Sequence, residues 1–273
     1  MALKGKVATV LLSHQGMVRT NNEDSVGQDE DIGLLVLADG MGGYNAGEVA
    51  SGIAVSTIRD LLKKEWGELK HGELDERTGY SVEALLLKHA VETAHSTIHQ
   101  VSQSQPQCAG MGTTVVTCLI HDDRLSIAYV GDSRLYRLRD GKLEQVTRDH
   151  SLLEELVARG HYTREEAKKL VRKNIVTRAL GVETKVQVDL IEDPAEKGDV
   201  LLICSDGLSD MVDDETIRLT LAQNTANLAV AAQNLVNVAN ERGGKDNVSV
   251  VLARVDASTS QGPPWYKRLA EWI

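Results

Sequence analysis

The sequence predicts an α+β domain in which antiparallel sheets stack on each other and amphipathic helices cover the outside. Three observations carry this. Short β-branched apolar runs alternate with stretches of helical period, tight Asp/Gly turns separate consecutive strands, and no long Pro/Gly/Ser-rich linker divides the 273 residues. Strands joined by tight turns pair antiparallel, and helices with one apolar face need a sheet face to cover.

Residues 6–12 (KVATVLL) and 32–38 (IGLLVLA) read as the first two strands. Over 46–66 the period changes: Val49, Ala50, Ile53, Ala54, Ile58, Leu61 and Leu62 share one helical face. A polar loop at 67–79 precedes a second such helix at 81–101. Strands follow at 113–121, 124–130, 134–138 and 142–146, with Asp122-Asp123 and Asp140-Gly141 as hairpin turns. Residues 151–171 are charged and helical in two pieces parted near Gly160, and Thr163 with Glu166 forms a capping box. Strands return at 186–192 and 199–204, helices at 214–223 and 226–241, and a last strand at 247–255. The tail from 257 to 273 holds Pro263-Pro264, then a short stretch whose Trp265, Leu269 and Trp272 would dock as a helix on the domain itself.

Apolar residues make up 42%, enough for a large core, which Leu, Val, Ile and Ala must fill because Phe is absent. The net charge of -10 repels a phosphate backbone, so nucleic acid is not an expected partner. Cys108, Cys118 and Cys204 lack the spacing of a disulfide framework or a zinc site. No signal peptide and no apolar run of about 20 residues is read, so no membrane association is expected and a soluble, cytoplasmic monomer is.

The acidic residues that invite chemistry lie at strand ends beside glycine. Asp39-Gly40 follows LLVL, Asp206-Gly207 follows VLLICS, Asp246 enters the last strand in GKDN, Glu23-Asp24 closes RTNNED, and Asp132 stands in VGDSR. One Asp-Gly pair alone is a turn. Asp39 departs from that reading, because a helix rather than a partner strand follows, and Gly40, Gly42 and Gly43 would let backbone approach an ion or anion. Oxygen donors without a His or Cys cluster select hard cations such as Mg²⁺ or Mn²⁺. A carboxylate shared by two such ions builds a hydrolytic site that activates water and neutralises a phosphoryl group. Arg19, just upstream, suits a phosphate because a guanidinium binds two oxygens at once.

RTNNED, VLADGMGG, GTTVV, VGDSRLYRL, NIVTRALG, LLICSDGLSD and GKDNVSVVL, in that order over about 6–255, resemble the motifs of the type 2C, metal-dependent (PPM) Ser/Thr protein phosphatases, in their compact bacterial branch. The resemblance implies a four-layer α/β/β/α sandwich: two antiparallel β-sheets flanked by pairs of antiparallel helices. It implies a catalytic domain over 1–256, with 151–181 as a flap beside the active site. It implies hydrolysis of phosphoserine and phosphothreonine by in-line attack of a hydroxide bridging two Mn²⁺ or Mg²⁺ ions. By motif, Asp39 would bridge both ions and Gly40 would offer its carbonyl. Asp206 and Asp246 would complete one ion's shell, and Glu23 and Asp24 would serve the other. Asp132 with Asp206 would hold a third ion, and Arg19 would hold the substrate phosphate. Phosphorylated proteins, and a Ser/Thr kinase with its targets, are the implied partners.

The chain departs from the wider family at Met41, where animal members often carry a histidine, and at Leu170-Val171, where relatives often have His-Pro before the NxxTRALG stretch. The first leaves the proton donor for the leaving alcohol unassigned. His14, His150 and His161 read as ordinary polar residues, with His161 placed in the flap. Ser205 lacks the GxSxG setting of a nucleophile. Two other readings compete: a noncatalytic phosphatase-like module that binds phosphoproteins, and a two-metal phosphodiesterase. The full set of acids argues against the first, and the missing basic stripe against the second.

Overall fold

A computed structural model describes residues 5–43, 46–160, 162–163, 166–167, 170–171 and 175–260. In chain order the elements are β1 (Val7–His14), β2 (Asp24–Asp29), β3 (Leu34–Met41), α1 (Ala46–Glu65), α2 (Val82–Ser104), β4 (Gly112–Thr113), β5 (Val115–His121) and β6 (Arg124–Val130). Then come β7 (Arg134–Arg139), β8 (Lys142–Gln145), α3 (Leu152–Ala158), β9 (Asp189–Pro194), β10 (Val200–Cys204), α4 (Asp206–Ser209), α5 (Asp214–Gln223), α6 (Leu228–Glu241) and β11 (Val248–Val255). One sheet runs β1-β11-β10-β7-β8 and the other β2-β3-β5-β6-β9, with β4 beside β3. Every pairing is antiparallel.

Three apolar layers hold four structural layers together. Between the sheets, Leu35, Leu37, Val116, Ile127 and Tyr129 meet Leu135, Leu201, Ile203 and Val251. The other face of the β3 sheet, through Val36 and Val115, packs on Ile58, Leu62, Leu87 and Val91 of α1 and α2. The other face of the β10 sheet, through Leu202 and Val250, packs on Ile217, Leu221, Leu235 and Val236 of α5 and α6. Both faces of both central sheets are therefore covered, which is why β3, β5 and β10 read as continuous apolar runs rather than alternating ones.

The local chemistry follows the sequence. Asp122, Asp123 and Asp140 take positive φ of 43°, 58° and 49°, the conformation that two-residue hairpin turns demand and Asp tolerates. Ser81, Ser151, Asp213 and Asn227 cap α2, α3, α5 and α6 by accepting a backbone N–H three residues on. Thr163 and Glu166 exchange the expected capping-box bonds, at 2.8 and 3.3 Å. All three cysteines are buried thiols. Among the described residues no helix is long and apolar enough to cross a membrane.

The structure corrects the sequence reading in four places. β2 is a strand where the sequence predicts none between 12 and 32, because DSVGQD has one large apolar residue, Val26. β3 does not end before Asp39-Gly40 but carries both and reaches Met41, where β4 pairs with it. β9 is shifted to 189–194 from the expected 186–192. Asp206-Gly207 opens a one-turn helix, α4, rather than making a turn. At the tail, Asp123 accepts hydrogen bonds from Thr259 N (2.7 Å) and Ser258 Oγ, fastening the chain as it leaves β11. The expected helix around Trp265, Leu269 and Trp272 lies outside the described residues, as does His161.

Candidate metal centre

The centre forms where the ends of the two sheets meet. β11 lies against both β2 and β3 across the sandwich. Asp24, the first residue of β2, stands opposite Asp39 in the β2–β3 register. Asp206 enters from the end of β10 through α4, and Asp246 lies two residues before β11. Five acids separated by up to 222 positions thus share one electrostatic neighbourhood. Burial pushes Asp39 well above the usual carboxylate range, and the charges of Asp24, Asp206, Asp132 and Asp246 push it further. Burial does the same to Asp206, followed by Asp132, Asp246, Asp210 and Asp24. Asp24 is driven up to about 6 by burial, partly offset by hydroxyls of Ser249 and Ser205. Asp132 also reaches about 6, through burial and then the charge of Asp149.

Asp39 is fixed through its backbone. Its carbonyl accepts from Thr113 Oγ1 at 2.8 Å and Thr114 N at 2.9 Å, and its N–H donates to Thr114 Oγ1 at 3.3 Å. Gly40 donates to the Glu23 carbonyl at 3.1 Å. A Cβ on Gly40 would run into the carbonyls of Gly47 and Glu23, so this glycine is required by the close approach of α1 and of the loop before β2. Gly42, at φ +157°, takes a backbone conformation that suits glycine and lies close to Ala46, which explains it through α1, and Gly43 has open space around it.

Arg19 projects from the loop between β1 and β2 and pairs with Asp246 at 2.6 Å, its side chain half-exposed. Glu23, partly buried, is raised chiefly by burial, while Arg19 and the Gly47 N–H draw it back. The loop that bears Arg19 and Glu23 hangs on Asn247. Asn247 Nδ2 donates to the carbonyls of Gln15 (2.9 Å) and Asn21 (2.8 Å), and its Oδ1 accepts from Glu23 N at 2.8 Å.

Every acid singled out in the sequence reaches this region, with Asp132 on the side facing Asp149 and Asp210. The residues that hold the acids have no such role legible in the sequence. Ser205 donates to Asp24 Oδ2 at 2.9 Å and accepts from Ser249 N at 3.0 Å, so its hydroxyl is a fully buried brace. Asn247 was visible only as a neighbour of Asp246. Asp149 and Asp210, with Asp132 and Asp206, line an open cleft of about 550 Å³ that Arg134, Asp213 and Arg242 also border. His14 Nδ1 accepts from Gly16 N at 2.9 Å, and buried His150 stacks on Tyr129, so both serve structure.

The donor set fits hard divalent cations. Asp24 Oδ1 is buried with no hydrogen-bond partner, an oxygen left for something other than the protein. Burial and neighbouring carboxylates raise Asp24, Asp39, Asp132 and Asp206, a cost that cations remove. Among the described residues no three His, Cys, Asp or Glu side chains close around one point by themselves. Mg²⁺-like ions do not need that, since they take one or two carboxylates and keep several waters.

Residues 14–248 match the family described as Protein phosphatase 2C. The chain is 39% identical over 245 residues to the serine/threonine phosphatase stp of Listeria monocytogenes serotype 4b (strain F2365), covering 89% of this chain and 93% of that one. It is 41% identical over 244 residues to the serine/threonine protein phosphatase PstP of Mycobacterium tuberculosis, covering 89% of this chain and 44% of PstP. The crystal structure of M. tuberculosis PstP/Ppp superposes with a TM-score of 0.81 at 39% identity, covering 92% of this chain and 99% of that one. The PstP catalytic domain in complex with two manganese ions gives a TM-score of 0.78 at 39% identity, with the same coverage.

Proposed function

The chain belongs to the protein phosphatase 2C family, and from that premise we propose that its buried aspartates hold the divalent cations of a phosphomonoesterase acting on phosphorylated proteins. It is a metal-dependent serine/threonine protein phosphatase and uses Mn²⁺ or Mg²⁺. The carrying observation is that Asp24, Asp39 and Asp206 meet at one sandwich end, where each feels the charge of Asp246. A noncatalytic binding module would have no use for so much buried charge.

Asp39, central to the set, would be a ligand of these ions, with the Gly40 carbonyl beside it. Asp206 and Asp246 would hold one ion, Glu23 and Asp24 another, and Asp132 with Asp206 would offer donors for a third. When bound, the ions lower the pKa of water and neutralise the phosphoryl oxygens during in-line displacement. Arg19 presents its guanidinium to two phosphate oxygens, with Asp246 fixing one end of the fork. Asn247 keeps Arg19 and Glu23 in register by tying their loop to β11. The catalytic domain is assigned to residues 1–256, with the flap over 151–181 and the tail over 257–273. The flap's base is closed by Leu152 N to the Ile175 carbonyl (2.9 Å) and Thr177 N to the His150 carbonyl (2.8 Å). The enzyme opposes a Ser/Thr protein kinase by acting on its targets, as a cytoplasmic monomer.

Asp39→Asn and Asp206→Asn each remove one negative charge at constant volume. Each is expected to lower turnover of a phosphothreonine peptide at least about a hundredfold, since even outer-shell changes at metal sites reach that size. Wild-type rates in Asp39→Asn with Mn²⁺ bound would refute the assignment.

A further inference from the structure

The loop carrying Arg19 also carries Met17 and Val18, at 67% and 65% exposure the two most exposed large apolar side chains among the described residues. The loop is not slack. Met17 N donates to the Gly244 carbonyl at 2.7 Å, Gln15 Nε2 to the Arg19 carbonyl at 2.7 Å, and Asn247 Nδ2 to the Gln15 and Asn21 carbonyls. Gly16 takes φ +81°, with Gly244 and Asp246 backbone packed where a side chain would go. The Met17 stem lies over Gly244, because a Cβ there would stand 2.6 Å from Met17 Cγ. Two large apolar groups are thus held in water, on a pinned loop, one and two residues from the phosphate-reading guanidinium. Their surroundings are acidic: Glu23, Asp246 and Asp206 all act on Arg19.

We infer that Met17 and Val18 form an apolar lip that seats an apolar side chain of the substrate immediately next to its phosphorylated residue. The inference rests on the phosphatase reading and on Arg19 as the phosphate holder. Neighbouring Cα atoms are only about 3.8 Å apart. A substrate backbone that runs along the loop while its phosphate sits on Arg19 places the adjoining residue over side chains one and two positions from that arginine. An acidic neighbour would lose water from its carboxylate against Met17 and Val18 without gaining a partner there, whereas an apolar one would cover both side chains. The pinned loop loses little conformational freedom when covered, so the contact appears as affinity rather than as an ordering cost.

The test uses the Mn²⁺-loaded full chain and phosphothreonine peptides that differ only in Leu, Gly or Glu directly before or directly after the phosphoresidue. Leu is expected to exceed Gly about fivefold in kcat/KM at one of these two positions, the worth of roughly 40 Å² of apolar surface. The difference should lie in KM. Glu should fall below Gly. The Met17→Gln/Val18→Thr double variant should bring the Leu/Gly ratio to about one, and Met17→Leu should keep it. A ratio of one in the wild type at both positions, or an unchanged ratio in the double variant, would overturn the lip while leaving the phosphatase assignment standing. Failure to hydrolyse any of the peptides would overturn both.

Discussion

Ser205 illustrates how a residue beside a candidate ligand acquires its meaning from partners far away in sequence. In the sequence it could be weighed only as a nucleophile. Folded, its hydroxyl is fully buried and bridges Asp24 of one sheet to the Ser249 N–H of the other. Ser205→Ala deletes that bridge and leaves both groups without this partner. The expected result is a 10–100-fold weaker Mn²⁺ affinity, the usual scale for a group that orients a ligand. Titration calorimetry reads this directly, and unchanged affinity would mean that Asp24 is positioned by Ser249 alone. Asp39, by contrast, could be singled out from its own neighbourhood, because the helix after it ruled out a hairpin.

Among elements, β2 is the instructive case. DSVGQD has weak alternation and an interior glycine, so its own composition argues against a strand. It becomes one because β3 offers a full edge and α1 packs closely over it. A Cβ on Gly27 would stand 2.5 Å from Val55 Cγ1 of α1. Local propensity would favour Gly27→Val, since valine suits strands. The packing predicts the opposite, a loss of about 1–3 kcal/mol from overcrowding. Urea unfolding of Gly27→Val measures the loss, and the pairing with Val55→Ala should recover part of it. A Gly27→Val protein as stable as wild type would show that α1 can shift. The apolar runs of β3, β5 and β10 needed no such context.

For the molecule as a whole, the joint between the sheets concentrates negative charge that the fold alone does not neutralise. Asp24 and Asp132 have folded pKa values of about 6 against 3.8 for an ordinary aspartate. The folded chain therefore keeps protons that the unfolded chain has released. In chelator, the stability associated with these groups is fully present below about pH 4 and is lost as pH rises through 6. At neutral pH, Mn²⁺ should raise Tm by several degrees, because ligands that bind only the folded state stabilise it. Asp39→Asn should raise the Tm of the chelated protein and shrink the gain from Mn²⁺. Differential scanning calorimetry across pH, with and without Mn²⁺, follows both effects. Metal-free stability that climbs from pH 4 to 7 would contradict the mutual repulsion of these acids.

By itself, the sequence determined what is written in local chemistry: the periods of the helices, the Asp hairpins, the caps, and the restriction to oxygen donors that calls for hard cations. The tertiary structure decided which distant segments meet. Only with both sheets stacked do Asp24 and Asp39 of one face Asp206 and Asp246 of the other, and only then do Asn247 and Ser205 become supports. The reason is physical: turns and amphipathic faces depend on neighbours within a few residues, whereas electrostatic coupling and close packing depend on distance in space.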